Sequence, residues 1–233
     1  MSEAPLQPKS GYHHGDLREA LLTAADQLLH EEGLQGLTLR ACARRAGVSH
    51  AAPKHHFANL SELLSEVAAR GFACLAEALE EARARAGDDP GERFIAAALT
   101  YVEYARTHPA HFRLMFRSDS LKDCNEALSQ SRSRAFSELT DTITLQRGEP
   151  DVAPGELRHR VMEAGLMEDV LLGWSYVHGY TQLLLEGQIA VFAREESLEN
   201  FLRRTITATG RRLSRMMRGV DDGKGSRDDE GRA

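Results

Sequence analysis

Cysteine is scarce in this chain. Cys42, Cys74 and Cys124 are three among 233 residues, widely spaced, and no two form a C-x-x-C pair. Such a set supports neither a disulfide framework nor a zinc site. The three read as small buried hydrophobes of a reducing cytosol. Aromatics are 6% of the chain and long Val/Ile/Thr runs are missing, which argues against a sheet protein. No apolar run approaches the roughly 18 residues of a membrane span. The opening MSEAPLQPKS has no hydrophobic segment, so no secretory signal is expected. The expected location is the cytoplasm, with no membrane partner. Gly-x-Ser-x-Gly, a phosphate loop and a dinucleotide fingerprint are all missing. Acidic pairs such as Glu31-Glu32 and Glu80-Glu81 are adjacent on helices and face different ways. His108 and His111 stand three apart and His55 and His56 are neighbours, without a third ligand at a usable offset. The expectation is a protein that is not an enzyme, with no metal and no cofactor.

Acid is missing from one stretch. From Gly33 to Ser61 there is no Asp or Glu, while Arg40, Arg44, Arg45 and Lys54 give +4. The whole chain is −6, so the remainder carries −10. A positive window on an acidic protein suits a phosphate backbone. The bland alternative is a basic amphipathic turn without a partner. The same window reads as two short helices around a corner. Leu37, Leu39, Cys42, Ala43 and Ala46 give Thr38 to Ala46 one apolar face. Gly47 breaks the pattern, and Ser49 is placed to cap a second helix from about His50 to Phe57. That helix would show Lys54, His55 and His56 to solvent. The pattern is a helix-turn-helix.

What the chain has in plenty is Ala, Leu, Glu and Arg, with 42% hydrophobic residues, so the expected fold class is all-α. Residues 1 to 12 are expected as a disordered arm. Asp16 is expected to open the first helix, with Glu19 completing a capping box. Leu17, Leu21, Ala25 and Leu28 form its stripe and Gly33 ends it. Asn59 and Glu62 make a second capping box before a helix reaching about Ala86, long enough to belong to two domains as a lever or as a plain connector. Glu92 to Thr107, a short helix after Pro109, Leu121 to Gln146, Glu156 to Gln188 and Ser197 to Arg218 are the remaining expected helices. RGEPDVAPGE reads as a loop, and residues 219 to 233 as a disordered tail.

The motifs carry a resemblance. LTLRACARRAGVSHAAPKHHFANLSELL resembles the DNA-binding signature of TetR-type repressors, with Ala46, Gly47, Val48, Ser49, His56 and Phe57 on the pattern. YHHGDLREALLTAA resembles the first helix of one branch of that family. GWSYVHGYTQLL puts Trp174, His178 and Gly179 on the tryptophan-histidine-glycine (WHG) pattern of one class of its C-terminal domains, and HPAHFRLMF resembles the matching segment. Departures are Lys54 where tyrosine is usual, Ala51 where glycine is common, and Leu60 where a lysine is usual. In the family that tyrosine and that lysine touch phosphates; Lys54 keeps the capacity and Leu60 does not.

The resemblance implies an N-terminal three-helix head at 13–74, joined by a long helix to a dimerisation and ligand-binding body at 75–218. It implies a homodimeric repressor released from a palindromic operator of double-stranded DNA by a small apolar or amphipathic effector. The open alternative is a constitutive or architectural DNA-binding protein without a ligand. The expected DNA-contacting set is Thr38, Arg40, Ser49, His50, Ala51, Ala52, Lys54, His55 and His56. Trp174 and His178 share a helix face, which reads either as core packing or as a pocket wall. Tyr101, Phe112, Phe116 and Met167, with Tyr104 and Met115, are the candidates to complete such a pocket.

Overall fold

The computed structural model describes residues 14–117, 119–121, 125–148, 165–193 and 196–218, with side chains from Leu17 onward. Among these residues there are eight α-helices, two short 3₁₀ turns and no strand. The expected arm, the tail and most of the RGEPDVAPGE loop lie outside the described residues.

Helix α1 runs His14–Gly36 and begins before Asp16, so Asp16 is not its cap. Gly33, at φ 70 and ψ −170, breaks it where expected, in a region open to glycine without a Cβ penalty. Leu21, Ala25 and Leu28 of the stripe are buried, and Leu22 and Leu29 widen it. Helix α2, Leu39–Arg45, starts where the Ala41 amide donates to Thr38 Oγ1 at 3.1 Å. A 3₁₀ turn follows at Ala52–His55.

Helix α3 is Leu60–Arg85. Asn59 caps it by accepting the Glu62 amide at 2.9 Å, and the Glu62 carboxylate accepts the Ala58 amide at 2.8 Å, one residue earlier than a capping box would have it. Its 26 residues make it about 39 Å long. Near its start it meets α1 through Arg18–Glu66 at 2.9 Å and Arg70–Glu19 at 2.5 Å. Near its end it meets the helix Glu126–Gln146 through Arg134–Glu80 at 2.7 Å and Arg83–Glu138 at 3.3 Å.

Helix α5, Pro109–Met115, opens on the expected proline, whereas α4, Pro90–Thr107, begins two residues before the expected Glu92, with Pro90 in its first turn. Helix α6 is Glu126–Gln146 and not Leu121 onward, because Asn125 accepts the Leu128 amide at 2.8 Å and caps the helix there. The expected continuous helix from Glu156 to Gln188 does not run through Gly165, whose φ is 93; α7 is Leu166–Leu185. Helix α8 is Leu198–Met217, with Ser197 accepting the Asn200 amide at 3.2 Å.

Both α7 and α8 pack on α4, and the Tyr180 and Thr205 hydroxyls join them at 2.6 Å. One buried cluster runs from Leu21 and Leu28 through Phe57 and Leu63 to Tyr101, Phe112 and Val177. A second gathers Phe94, Ile143, Val170 and Leu213. The first cluster therefore extends along α3. Cys42 is buried, and desolvation pushes its thiol up to about 11. Cys74 is exposed, contrary to expectation, because it lies off the buried Phe72, Leu75 and Leu79 stripe of α3. Cys124 lies outside the described residues.

Candidate nucleic-acid interface and cavity

The basic window folds so that its apolar side chains go inward and most of its polar ones stay at the surface. Leu37, Cys42, Ala43, Pro53 and Phe57 go inward, while Thr38, Arg40, Arg44, Ser49, His50, Ala51, Lys54 and His55 are exposed. Ala52 and His56 are half-buried. Gly47 turns the corner at φ 69. The second helix is shorter than expected. Ala52, Lys54 and His56 each donate to the carbonyl three residues back, at 3.0, 3.2 and 3.0 Å. Pro53 has no N–H, so the α-type bond to Ser49 cannot form, and one 3₁₀ turn results. Its cap position is Ala51, with no side-chain cap, so Ser49 is not the N-cap. The Ser49 hydroxyl stays at the surface.

The four cations are not equivalent. Arg45 turns back to α1 and donates to both Glu31 carboxylate oxygens at 3.0 and 2.7 Å. That guanidinium holds the Glu31 carboxyl below its usual range. Arg40, Arg44 and Lys54 form no ion pair among the described residues. Leu60, which stands where a lysine is usual, is half-buried and packs on the core.

Helices α3, α4, α5, α6 and α7 line a cavity of about 470 Å³, within the range of small-molecule sites. Of the expected pocket residues, Tyr101, Met115, Phe116 and Trp174 line it. Phe112 and His178 lie behind that wall: Phe112 is fully buried and stacks on the His178 ring at 5.6 Å. The His178 Nδ1 is 2.9 Å from the Tyr101 hydroxyl and its Nε2 3.3 Å from the Gln182 amide nitrogen. Burial lowers the His178 pKa and keeps the ring neutral at pH 7. Tyr104 faces elsewhere, donating to the Gly71 carbonyl at 2.8 Å. Met167, in the first turn of α7, does not reach the cavity wall.

The remaining wall comes from residues that sequence reasoning did not assign to it: Phe72, Leu75 and Leu79 on α3, Phe94 and Ala98 on α4, Phe136, Glu138, Leu139 and Thr142 on α6. Their apolar periodicity was visible on each helix, but periodicity does not separate a cavity wall from a filled core. Glu138 is the unusual member. It is 7% exposed, and its Oε2 sits 3.3 Å from Arg83 Nε without hydrogen-bond alignment. Arg83 is shared with Asp141 at 3.8 Å. Burial pushes the Glu138 carboxyl up to about 7.

One face of α7 points away from the chain's own core. Leu172 and Leu183 are 38% and 49% exposed. Between them, one and two turns along, lie Ser175 and Gly179, where an added Cβ would meet nothing within 4 Å. From Val170 to Leu185 no residue is charged.

Comparison with known proteins bears on both regions. A model of the tetR family of bacterial regulatory proteins matches residues 21–67, across α1, α2 and the 3₁₀ turn. A model described as tetracyclin repressor-like, C-terminal domain, matches residues 94–209, which include Trp174, His178 and Gly179. An uncharacterized HTH-type transcriptional regulator of Haemophilus influenzae is 29% identical over 128 residues, 54% of this chain. The match spans 60% of that curated relative's length. A protein of unknown function from Rhodococcus sp. RHA1 has a similar structure, with a TM-score of 0.69 at 29% identity, covering 89% of this chain and 98% of that one. A TetR family transcriptional regulator from Thermus thermophilus shares the fold, with a TM-score of 0.55 at 19% identity, over 85% and 95% of the two chains. Among the described residues no helix is long and apolar enough to cross a membrane.

Proposed function

The chain belongs to the tetR family of bacterial regulatory proteins, whose two models together match more than half of it, and is a DNA-binding transcriptional regulator; on that premise we propose a homodimeric repressor that a small apolar or amphipathic molecule releases from a palindromic operator. The head is taken as residues 13–74 and the body as 75–218. The carrying observation is the cavity of about 470 Å³ in the body, whose wall includes the helix that also builds the head. A constitutive or architectural DNA-binding protein has no use for such a space, which favours the ligand-responsive reading.

Two routes connect the cavity to the head. Phe72, Leu75 and Leu79 face the cavity from α3, and the same helix begins against the core under Phe57. Met115 and Phe116 belong to the α5 segment, whose His111 Nε2 meets Asp26 of α1 at 3.3 Å. A ligand that displaces either wall shifts the spacing of two heads, and only differential affinity for the two spacings can change DNA binding.

Dimerisation follows from the size of the reading element. A 3₁₀ turn of four residues reaches too few base pairs to find one site in a genome. The uncharged, partly exposed face of α7 suits a second copy. The test is selection of bound sequences from random DNA. Palindromes with half-sites about one helical turn apart, or a multiple of it, are expected. Enrichment of single, non-repeated sites would overturn the dimeric repressor.

A further inference from the structure

The polar groups deep in the cavity wall are already engaged. Thr142 donates its hydroxyl proton to the Glu138 carbonyl at 2.7 Å. The Tyr101 hydroxyl is taken up by His178 at 2.9 Å and by the Trp174 side chain. Both Glu138 carboxylate oxygens lie beside Arg83, at 3.4 and 3.3 Å, and Oε2 is buried from any occupant. Two consecutive residues of α6 differ. Arg132 and Ser133 line the cavity and are also exposed, so the wall reaches solvent there and the pair forms its mouth.

Arg132 stands apart from the other cations of this region. Arg134 meets Glu77 and Glu80 at 3.7 and 2.7 Å. Arg83 lies against Glu138 and Asp141. Arg132 forms no ion pair and no hydrogen bond among the described residues; its guanidinium lies 5.7 Å over the Phe72 ring, itself part of the wall. A ring face accepts no conventional hydrogen bond, so the N–H fork remains for an acceptor. The Ser133 hydroxyl has no partner among the described residues either, although its carbonyl accepts the Ser137 hydroxyl at 3.0 Å. The mouth of an apolar cavity therefore carries one positive charge and one hydroxyl, both open to a ligand.

We infer that the cavity takes a molecule with an apolar body and one anionic head, a carboxylate, which sits at the mouth against Arg132 and Ser133. This rests on the cavity being the effector site. The apolar wall of Phe72, Leu75, Phe94, Phe136 and Trp174 takes the body of the molecule. A carboxylate matches the guanidinium fork in charge and in geometry, and Ser133 adds a hydroxyl donor. At the mouth the head keeps part of its water, so it avoids the cost of full burial. A cationic head at the same place would meet a guanidinium of its own sign, which no described carboxylate pairs.

The experiment uses the full chain and its one tryptophan, Trp174, which is in the wall. Emission is titrated at pH 8 with decanoate and with decylamine, which share a tail and carry single charges of opposite sign. At low salt decanoate is expected to bind about 3- to 25-fold tighter, since attraction and repulsion at an exposed cation are each worth up to roughly fivefold. The gap should narrow at high salt. Arg132→Gln should close most of it, chiefly by weakening decanoate, whereas Arg132→Lys keeps the charge and should keep a preference for decanoate. If Arg132→Gln melts abnormally, the gap in the wild-type protein and its salt dependence decide the matter. Equal affinities, tighter binding of decylamine, a gap that high salt leaves intact, or an unchanged gap in a normally folded Arg132→Gln each overturn the anionic head while leaving an effector cavity. Binding of neither probe overturns the cavity reading and this one together.

Discussion

Lys54 and Arg45 are both cations of the basic window, yet the fold gives them different work. Lys54, on the 3₁₀ turn, forms no ion pair among the described residues, whereas Arg45 is bound bidentately to Glu31 on α1. Lys54→Ala should weaken binding to operator and to random DNA by a similar factor. It should also flatten the dependence of log K on log salt by about one unit. Arg45→Ala should change that slope less. Filter binding across a salt series reads both, and unchanged operator affinity in a Lys54/His55 double alanine protein would remove the assignment. His50, exposed just before the turn, should instead change which base is preferred. That the window was basic could be read from its letters. That one of its four charges is folded back on Glu31 could not, because the partner lies in another helix.

Glu138 supplies a second prediction at this scale. Its carboxyl ordinarily titrates at 4.5 and is raised by burial to about 7 in the fold. Between those values the native state holds a proton that the unfolded chain has released. Stability from this group is therefore full below about 4.5 and falls as pH rises toward 7, the reverse of a salt-bridged carboxylate. The loss is about 2 kcal/mol, discounted from the full shift because Arg83 and nearby solvent relax around the charge. Urea unfolding at pH 5 and pH 8 should show a drop in the wild-type protein that is missing in Glu138→Gln. Equal drops in both would assign the slope to other groups.

Among the elements, α7 offers the sharpest test. Leu183 and Leu184 are neighbours in the chain but not in the fold. Leu184 is 9% exposed and belongs to the chain's own core, whereas Leu183 is 49% exposed. Leu184→Glu should destabilise any form of the protein by several kcal/mol, since it buries an unpaired charge. Leu183→Glu should be harmless to a lone chain and costly only if a second copy covers it. Sedimentation should then give a dimer for the wild type and monomers of normal melting behaviour for Leu183→Glu. A wild-type monomer at micromolar concentration would defeat the scheme.

The same comparison shows what periodicity reveals. The α1 stripe, the Asn59 cap and the start of the last helix at Ser197 were legible, because each rests on residues a few positions apart. The Ser49 cap failed because Pro53 forbids the α-type bond that the cap would have served. The helix expected through 156–188 failed at one left-handed glycine, Gly165, where helical letters continue on both sides.

At the scale of the whole molecule the cavity wall draws on residues from Phe72 to Val177, on elements whose letters do not tell a space from a packed core. The family resemblance named Trp174 and His178 together, but the fold separates their roles. Trp174 touches the cavity, and His178 holds the Tyr101 hydroxyl from behind. His178→Ala should therefore act through Tyr101, by freeing its hydroxyl and loosening one side of the wall. Ligand affinity should fall, read by Trp174 emission, while operator affinity without ligand stays nearly unchanged. Linkage then fixes the rest. If a ligand lowers operator affinity by some factor, operator DNA must lower ligand affinity by that same factor, typically about 5- to 150-fold. Titrating ligand into free protein and into the protein–operator complex measures both sides of the cycle. Unequal factors would mean that one titration is not at equilibrium, and a ligand that leaves operator affinity unchanged would remove the coupling. If His178→Ala instead unfolds the chain or splits the dimer, the imidazole is a structural strut, and the coupling must run through Phe116 and α5 alone.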